Sequence, residues 1–265
     1  MEIISYYAIL ASSVLAKEKG SYQTYSGSKW DRGIFPIDTL DLLAENRGEE
    51  VTVSRSSTLN WDEVREHVAK HGIRNSNTMA IAPTATIANI SGVVPCIEPI
   101  YKNIYMKENL SGNFPVINKY LVYELEKIGL WTPQILNKIK AFNGVVTGIQ
   151  EIPVSISSKY KEVFEIDPSW IFEAAARRSK WIDQSASTNV FLKTKSGKDV
   201  SDIYFKLWKK GVKTSYYLRT LAATQVTKTI SVEESNQAPT NKVINAEQVE
   251  VNVCSLLDPS CEACQ

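Results

Sequence analysis

Helix-length periodic stretches in this chain are separated by apolar runs too short to be helices, and that alternation limits the possible folds more than any other feature. Residues 3–17 carry a helical period, with Ile3, Tyr7, Leu10 and Val14 on one face and Gly20 as terminator. A second helix fits WDEVREHVAKHG: Asn60 caps it, Glu63 completes a capping-box pair, and Gly72 ends it. Pro115 and Pro133 stand as first-turn prolines opening VINKYLVYELEKIG and QILNKIKAFNG. Asp167-Pro168 starts a long helix through Trp181, and Asp199 caps DIYFKLWKKG before Gly211. Between these elements, strands are expected at Thr78 to Ala82, Val93 to Ile97, Thr188 to Leu192 and Val212 to Tyr216. Helices alternating with short strands imply an α/β architecture with a largely parallel sheet.

With 265 residues, 43% of them hydrophobic, the chain can bury a substantial core as one large domain or two. Lys and Arg number 30 against 29 Asp and Glu, which leaves no electrostatic footprint for nonspecific nucleic-acid or membrane binding. No apolar run reaches spanning length, and the opening MEIISYYAILASSVLAKEKG lacks the basic start of a signal peptide. Three of the four cysteines crowd the last twelve residues, which fits a reducing cytoplasm and one specialised thiol cluster. From about Ala222 the sequence turns polar and loses periodicity, so residues 1–222 are expected as the folded domain and 223–265 as a flexible tail. Met1 stands almost inside the first helix with nothing before it to cap or pack, which reads as a chain cut from something larger.

Three patterns could carry chemistry. In PTATIANIS, Pro83 leads Thr84, Ala85, Thr86 and Ile87 into a short helix whose first N–H groups lack intrahelical acceptors, an end that attracts phosphate. The alternative is a proline-started helix with no ligand. Tyr216 and Tyr217 could share a proton path only if their strand ends or bulges there, because neighbours on a regular strand face opposite ways. The plainer reading is two half-buried aromatics on an edge strand. Cys261 and Cys264 form a C-x-x-C that suits either zinc or redox work. With Cys254 they make only three thiolates, and the sole histidines, His67 and His71, lie far upstream on a helix, so no metal site is expected. His71 is read as a cation favourable to the end of its helix, and Cys96 as a small buried hydrophobe.

Several segments taken together resemble the large, catalytic subunit of class I ribonucleoside-diphosphate reductase. They are SVLAKEKGSY, GIFPIDTL, MAIAPTATIANISGVVPCIEP, GVKTSYYLRT and CEACQ, in the family's order. The resemblance implies the C-terminal part of a ten-stranded α/β barrel followed by a flexible tail. It places the substrate diphosphate on Pro83, Thr84, Ala85, Thr86 and Ile87, mostly through backbone. It makes Tyr216 and Tyr217 a radical relay and Cys261/Cys264 a redox-active pair that thioredoxin or glutaredoxin regenerates. Ser185 to Asn189 resembles a family segment at a strand start and is read as barrel structure. The family's radical-forming cysteine precedes the phosphate-binding segment, so Cys96, which follows it, cannot take that role. The implied partners are the N-terminal part of the large subunit, a small radical-generating subunit that holds a metal-radical cofactor, and a ribonucleoside diphosphate substrate. No cofactor is expected on this chain. Two readings stay open beside it, an inactive remnant of a reductase gene and a dithiol redox or binding module.

Overall fold

Glu2 shows how the first part of the chain is tied together. In the computed structural model, which describes residues 1–109, 112–193 and 196–220, helix α1 (Glu2–Lys19) places this carboxylate against residues 57–61. It accepts hydrogen bonds from Ser57 Oγ, the Thr58 N–H and Oγ1, the Leu59 N–H and Trp61 Nε1, at 2.8–3.2 Å. Those bonds hold the loop that launches helix α3 (Trp61–His71), which Asn60 caps as expected by accepting from the Asp62 N–H. The two helices pack through Tyr6 and Ile9 against Val64 and Val68, and the Trp61 ring stacks on Trp181 at 5.4 Å. The face of α1 named from the sequence is the wrong one: Ile3, Tyr7 and Val14 are exposed. The buried face carries Ser12 and Ser13 instead, whose hydroxyls donate to Asn75 Oδ1 and the Gly72 carbonyl at 2.7 Å. Small hydroxylated side chains let the helix come close while satisfying loop groups, a gain that hydrophobic periodicity does not register.

Helix α2 (Thr39–Arg47) follows a 3₁₀ turn over Pro36–Asp38, and helix α4 (Ala85–Ser91) is the short helix expected after Pro83. The next element corrects the sequence reading. Strands β1 (Ile104–Asn109) and β2 (Gly112–Ile117) form an antiparallel hairpin, with Pro115 inside β2 opposite Met106. A two-stranded ladder has two open edges, which is where a residue without an N–H is tolerated. Helix α5 (Lys119–Lys127) begins only after Asn118, which caps it through the Tyr120 N–H. Helix α6 (Pro133–Ala141) does open on its proline, and α7 (Val154–Lys159) follows.

Helix α8 (Pro168–Ser179), capped by Asp167, leads to strand β3 (Thr188–Leu192), helix α9 (Gly197–Lys209) and strand β4 (Ser215–Thr220). Helix α8 stops two residues before Trp181. The cap of α9 is Ser196, which accepts from the Asp199 N–H, so Asp199 lies inside the first turn instead of capping it. Strand β4 starts three residues later than expected; just before it, Lys213 and Thr214 donate through their side chains to the carbonyls of Ile182, Gln184 and Ala186.

Strands β3 and β4 pair in parallel, the α/β arrangement expected. The Thr78–Ala82 strand reduces to a parallel bridge between Ile81 and Ala186, supported by bonds from Ile81 N–H to Ser185 O and from Ser187 N–H to Ile81 O. Residues 93–97 are irregular, with Cys96 at φ 68° after Pro95, and form no strand. The described strands therefore form two two-stranded sheets, one antiparallel and one parallel, and close no barrel among themselves. Apolar cores lie under the hairpin and α5–α7, and between β3, α8 and α9. No described helix is long and apolar enough to cross a membrane. The expected tail, 223–265, lies outside the described residues.

A polar hub is buried at the base of the hairpin. Glu162, 3% exposed, accepts the Asn103 N–H at 2.8 Å, while Asn103 Nδ2 donates to the Gly144 and Tyr160 carbonyls. Gly144 sits at φ +95°, and a Cβ there would come within 2.4 Å of the Glu162 carboxylate, so glycine is required.

Two stability predictions follow from these carboxylates. Burial works against the charge on Glu2, but its ring of donors holds the carboxyl down at about 2. Its contribution is full above pH 4.5 and is lost as pH falls through about 2. Glu2→Ala should cost about 1–2 kcal/mol at pH 7, after allowance for its solvent contact, and almost nothing at pH 2; urea melts at both values check this. Glu162 runs the other way. Desolvation pushes its carboxyl up to about 7, against the pull of the Asn103 N–H and Lys102. Its folded form favours the proton, so stability declines as pH rises from 4.5 through 7. Glu162→Gln should be stabilising by about 1–3 kcal/mol at pH 8 and near neutral at pH 4.5.

Candidate functional site

Tyr216 and Tyr217 touch because β3 and β4 lose register at this point. Thr188 pairs with Ser215 and Val190 with Leu218, so Asn189 alone stands across from both tyrosines. Two residues opposed to one make a bulge, which breaks the alternation that would otherwise send adjacent side chains to opposite faces. The Tyr216 hydroxyl donates to the Tyr217 hydroxyl at 3.0 Å, and the ring centroids lie 3.9 Å apart at 50°. That hydrogen bond raises the Tyr216 phenol above its ordinary range, with desolvation adding to it and Arg219 opposing it. The Arg219 guanidinium lies over the Tyr217 ring, 5.0 Å from its centroid. Chemically, this is a pair of phenols able to exchange a hydrogen directly.

Pro83 belongs to the same site. A cavity of about 540 Å³ is lined by Pro83, Cys96, Asn189, Tyr217 and Arg219 among others, with Tyr105 of the hairpin contributing. Thr84, Thr86 and Ile87 are exposed and absent from that lining. Thr84 is the N-cap of α4 in the left-handed region, at φ 50° and ψ 20°, with no side-chain cap bond. That conformation is costly for a β-branched residue. Its Oγ1 accepts the N–H of Cys96, itself at φ 68°, so two strained residues support one another. The Cys96 thiol, only partly buried, is pushed up to about 11 by desolvation and by the neighbouring Glu98, so it is kept protonated.

Reading motifs alone misses Glu98, Asn189 and Arg219. Glu98 is 6% exposed and accepts from both the Asn189 N–H and Nδ2, at 3.0 and 3.1 Å. One signal was available, since a carboxylate in the apolar run VVPCIEPI needs a buried donor. His67 and His71 lie 4.7 Å apart, and the His67 ring contacts the Ser13 hydroxyl at 2.8 Å. Partial burial and the neighbouring His67 lower the His71 pKa, which works against the cationic helix-end role expected of it. Cys254, Cys261 and Cys264 lie outside the described residues.

Residues 1–218 match the family model described as the ribonucleotide reductase barrel domain. The chain is 47% identical, over its whole length, to the ribonucleoside-diphosphate reductase subunit alpha of Chlamydia pneumoniae, of which it covers 26%. It is 42% identical over 86% of its length to the large subunit of that reductase from Trypanosoma brucei brucei, covering 27% of that protein. Against the large subunit from Arabidopsis thaliana it is 36% identical over 99% of its length, covering 32% of that protein. The chain thus spans about a quarter to a third of the length of these relatives. Matched along nearly all of its described residues, the chain belongs to the ribonucleotide reductase barrel-domain family.

Proposed function

We propose that this chain supplies the diphosphate cradle, the radical relay and the re-reducing dithiol of a ribonucleoside-diphosphate reductase large subunit. The observation that carries the reading is the 3.0 Å contact between the two phenols, one of which shares a cavity with Pro83. Across that contact, a hydrogen leaving Tyr216 arrives on an oxidised Tyr217, restoring its phenol and leaving the radical on Tyr216. A cysteine thiol on the N-terminal part of the large subunit then gives its hydrogen to Tyr216. The resulting thiyl takes the ribose 3′ hydrogen, the 2′ hydroxyl leaves as water, two further thiols supply the reducing electrons by closing to a disulfide, and the first thiol returns its hydrogen to C3′, regenerating the thiyl. Cys261 and Cys264 reopen that disulfide by exchange, and thioredoxin or glutaredoxin in turn reduces them.

The diphosphate rests at the start of α4, on Pro83, Thr84, Ala85, Thr86 and Ile87. Support comes from the N–H groups of a first helical turn and from an N-cap whose own side chain makes no cap bond. Because backbone groups would make these contacts, the side chains of Ala85 and Ile87 matter little to affinity. A small subunit, with its metal-radical cofactor, supplies the oxidising equivalent from outside this chain. The working complex is cytoplasmic and includes the N-terminal part of the large subunit as a companion.

In the complex reconstituted from these parts, Tyr216→Phe removes the transferable hydrogen while keeping the ring. Turnover of ribonucleoside diphosphate should fall by about a thousandfold or more, with substrate affinity within about twofold of the parent, read by single-turnover assay and equilibrium binding. Turnover that survives the substitution rules the relay out. Thioredoxin-dependent cycling of Cys261/Cys264 without any nucleotide dependence would favour a general dithiol module instead.

A further inference from the structure

The phenol contact depends on the residue where β3 and β4 slip, and a buried carboxylate grips β3 at that residue. Asn189 is 4% exposed and gives both its backbone N–H and its Nδ2–H to Glu98. Glu98 lies between α4 and the hairpin, two residues beyond Cys96, whose N–H is tied to Thr84. Glu98 partly offsets the desolvation that lowers the Arg178 pKa, while the N–H donors it accepts are the two of Asn189. We infer that Glu98 is a positioning residue for the tyrosine pair: it fixes Asn189 as the pivot around which β4 accommodates one additional residue, and so brings the two hydroxyls together.

Without an acceptor at position 98, both Asn189 donors would lie unpaired in a water-poor environment, at a substantial cost. The cheapest recovery is for β3 to shift and find acceptors on a neighbouring strand. A regular β3–β4 register would return Tyr216 and Tyr217 to opposite faces and separate their hydroxyls. The role needs an acceptor aimed at Asn189, not a negative charge. Asn189 Oδ1 is buried without a partner. In Glu98→Gln, the new carbonyl can therefore keep the Asn189 N–H while its amide donates to Oδ1, once the Asn189 amide has turned over.

The test uses the full chain with 3-fluorotyrosine placed at position 216, whose titration is followed by fluorine NMR. Tyr217→Phe gives the reference midpoint for a Tyr216 phenol without its partner. Glu98→Ala and the better-packed Glu98→Leu should shift the midpoint down to that reference, while Glu98→Gln should keep the parent value. A parent-like titration in a folded Ala or Leu variant, with circular dichroism and melting to establish folding, would overturn the inference. Should neither variant fold, through-hydrogen-bond coupling between Asn189 nitrogen and Glu98 carboxyl carbon is read in the unsubstituted chain. Its absence overturns the inference as well. Its presence, with Glu98→Gln keeping the parent midpoint, supports it. The proposal deepens the relay reading but does not share its fate: Tyr216→Phe turnover judges the relay, and the fluorine titration judges the geometry.

Discussion

Two side chains adjacent on a strand can meet at their tips only where the strand departs from its two-residue repeat. The candidate site depends on that constraint. Everything that fixes where β3 and β4 slip also fixes whether the phenols touch. Upstream of the slip, the Asp183 carboxylate accepts from Thr78 and Met79, which lays the chain through Ile81 alongside Ala186. Downstream of α9, the Lys213 ammonium donates to the carbonyls of Ile182 and Gln184, and Thr214 reaches Ala186. Burial lowers the Lys213 pKa, offset in part by Asp183, so the ammonium is held in place by carbonyl oxygens more than by a full ion pair. Both strands are thus anchored at their starts by side chains. The misfit between them accumulates at Asn189.

The same arrangement explains why Pro83 and Tyr217 face one cavity although 134 positions separate them. The chain leaves the sheet at Pro83 immediately after the bridge at Ile81, and β4 runs parallel on the far side of β3. In parallel α/β structures, groups at the same ends of neighbouring strands converge, and ligands are met there. The irregular segment through Cys96 and Glu98 fills the space where the first strand has departed, which brings its carboxylate to Asn189.

Much of this was legible in the sequence, and the failures have identifiable causes. Helix starts read well: Asn60, Pro133 and Asp167-Pro168 mark real ones because capping and first-turn prolines are local chemistry. Pro115 misled because proline is as acceptable on an open ladder edge as in a first turn, and only the pairing partner separates the two. The α1 face misled because hydroxyl hydrogen bonds from Ser12 and Ser13 to the end of α3 and the loop after it share the buried side with Tyr6 and Ile9, and hydrophobic periodicity does not register them. For the site, the need for a bulge at the tyrosines follows from strand geometry alone. The residues that shape it do not, since Glu98 and Asn189 are 91 positions apart and the family-like segments that hold them say nothing of their pairing.

Strain around the α4 entrance fits this picture. Thr84 and Cys96 both adopt left-handed backbone, a conformation that β-branched and bulky residues pay for, yet a hydrogen bond joins them. A relaxed loop would let residues 93–98 fall toward an extended run, as their apolar sequence favours, and would carry Glu98 away from β3. Holding the loop irregular keeps the carboxylate on Asn189, and with it the register defect. Strain at the entrance of the proposed cradle and contact between the phenols are then two ends of one connected set of bonds: Thr84 to Cys96, Glu98 to Asn189, and β3 to the bulge in β4.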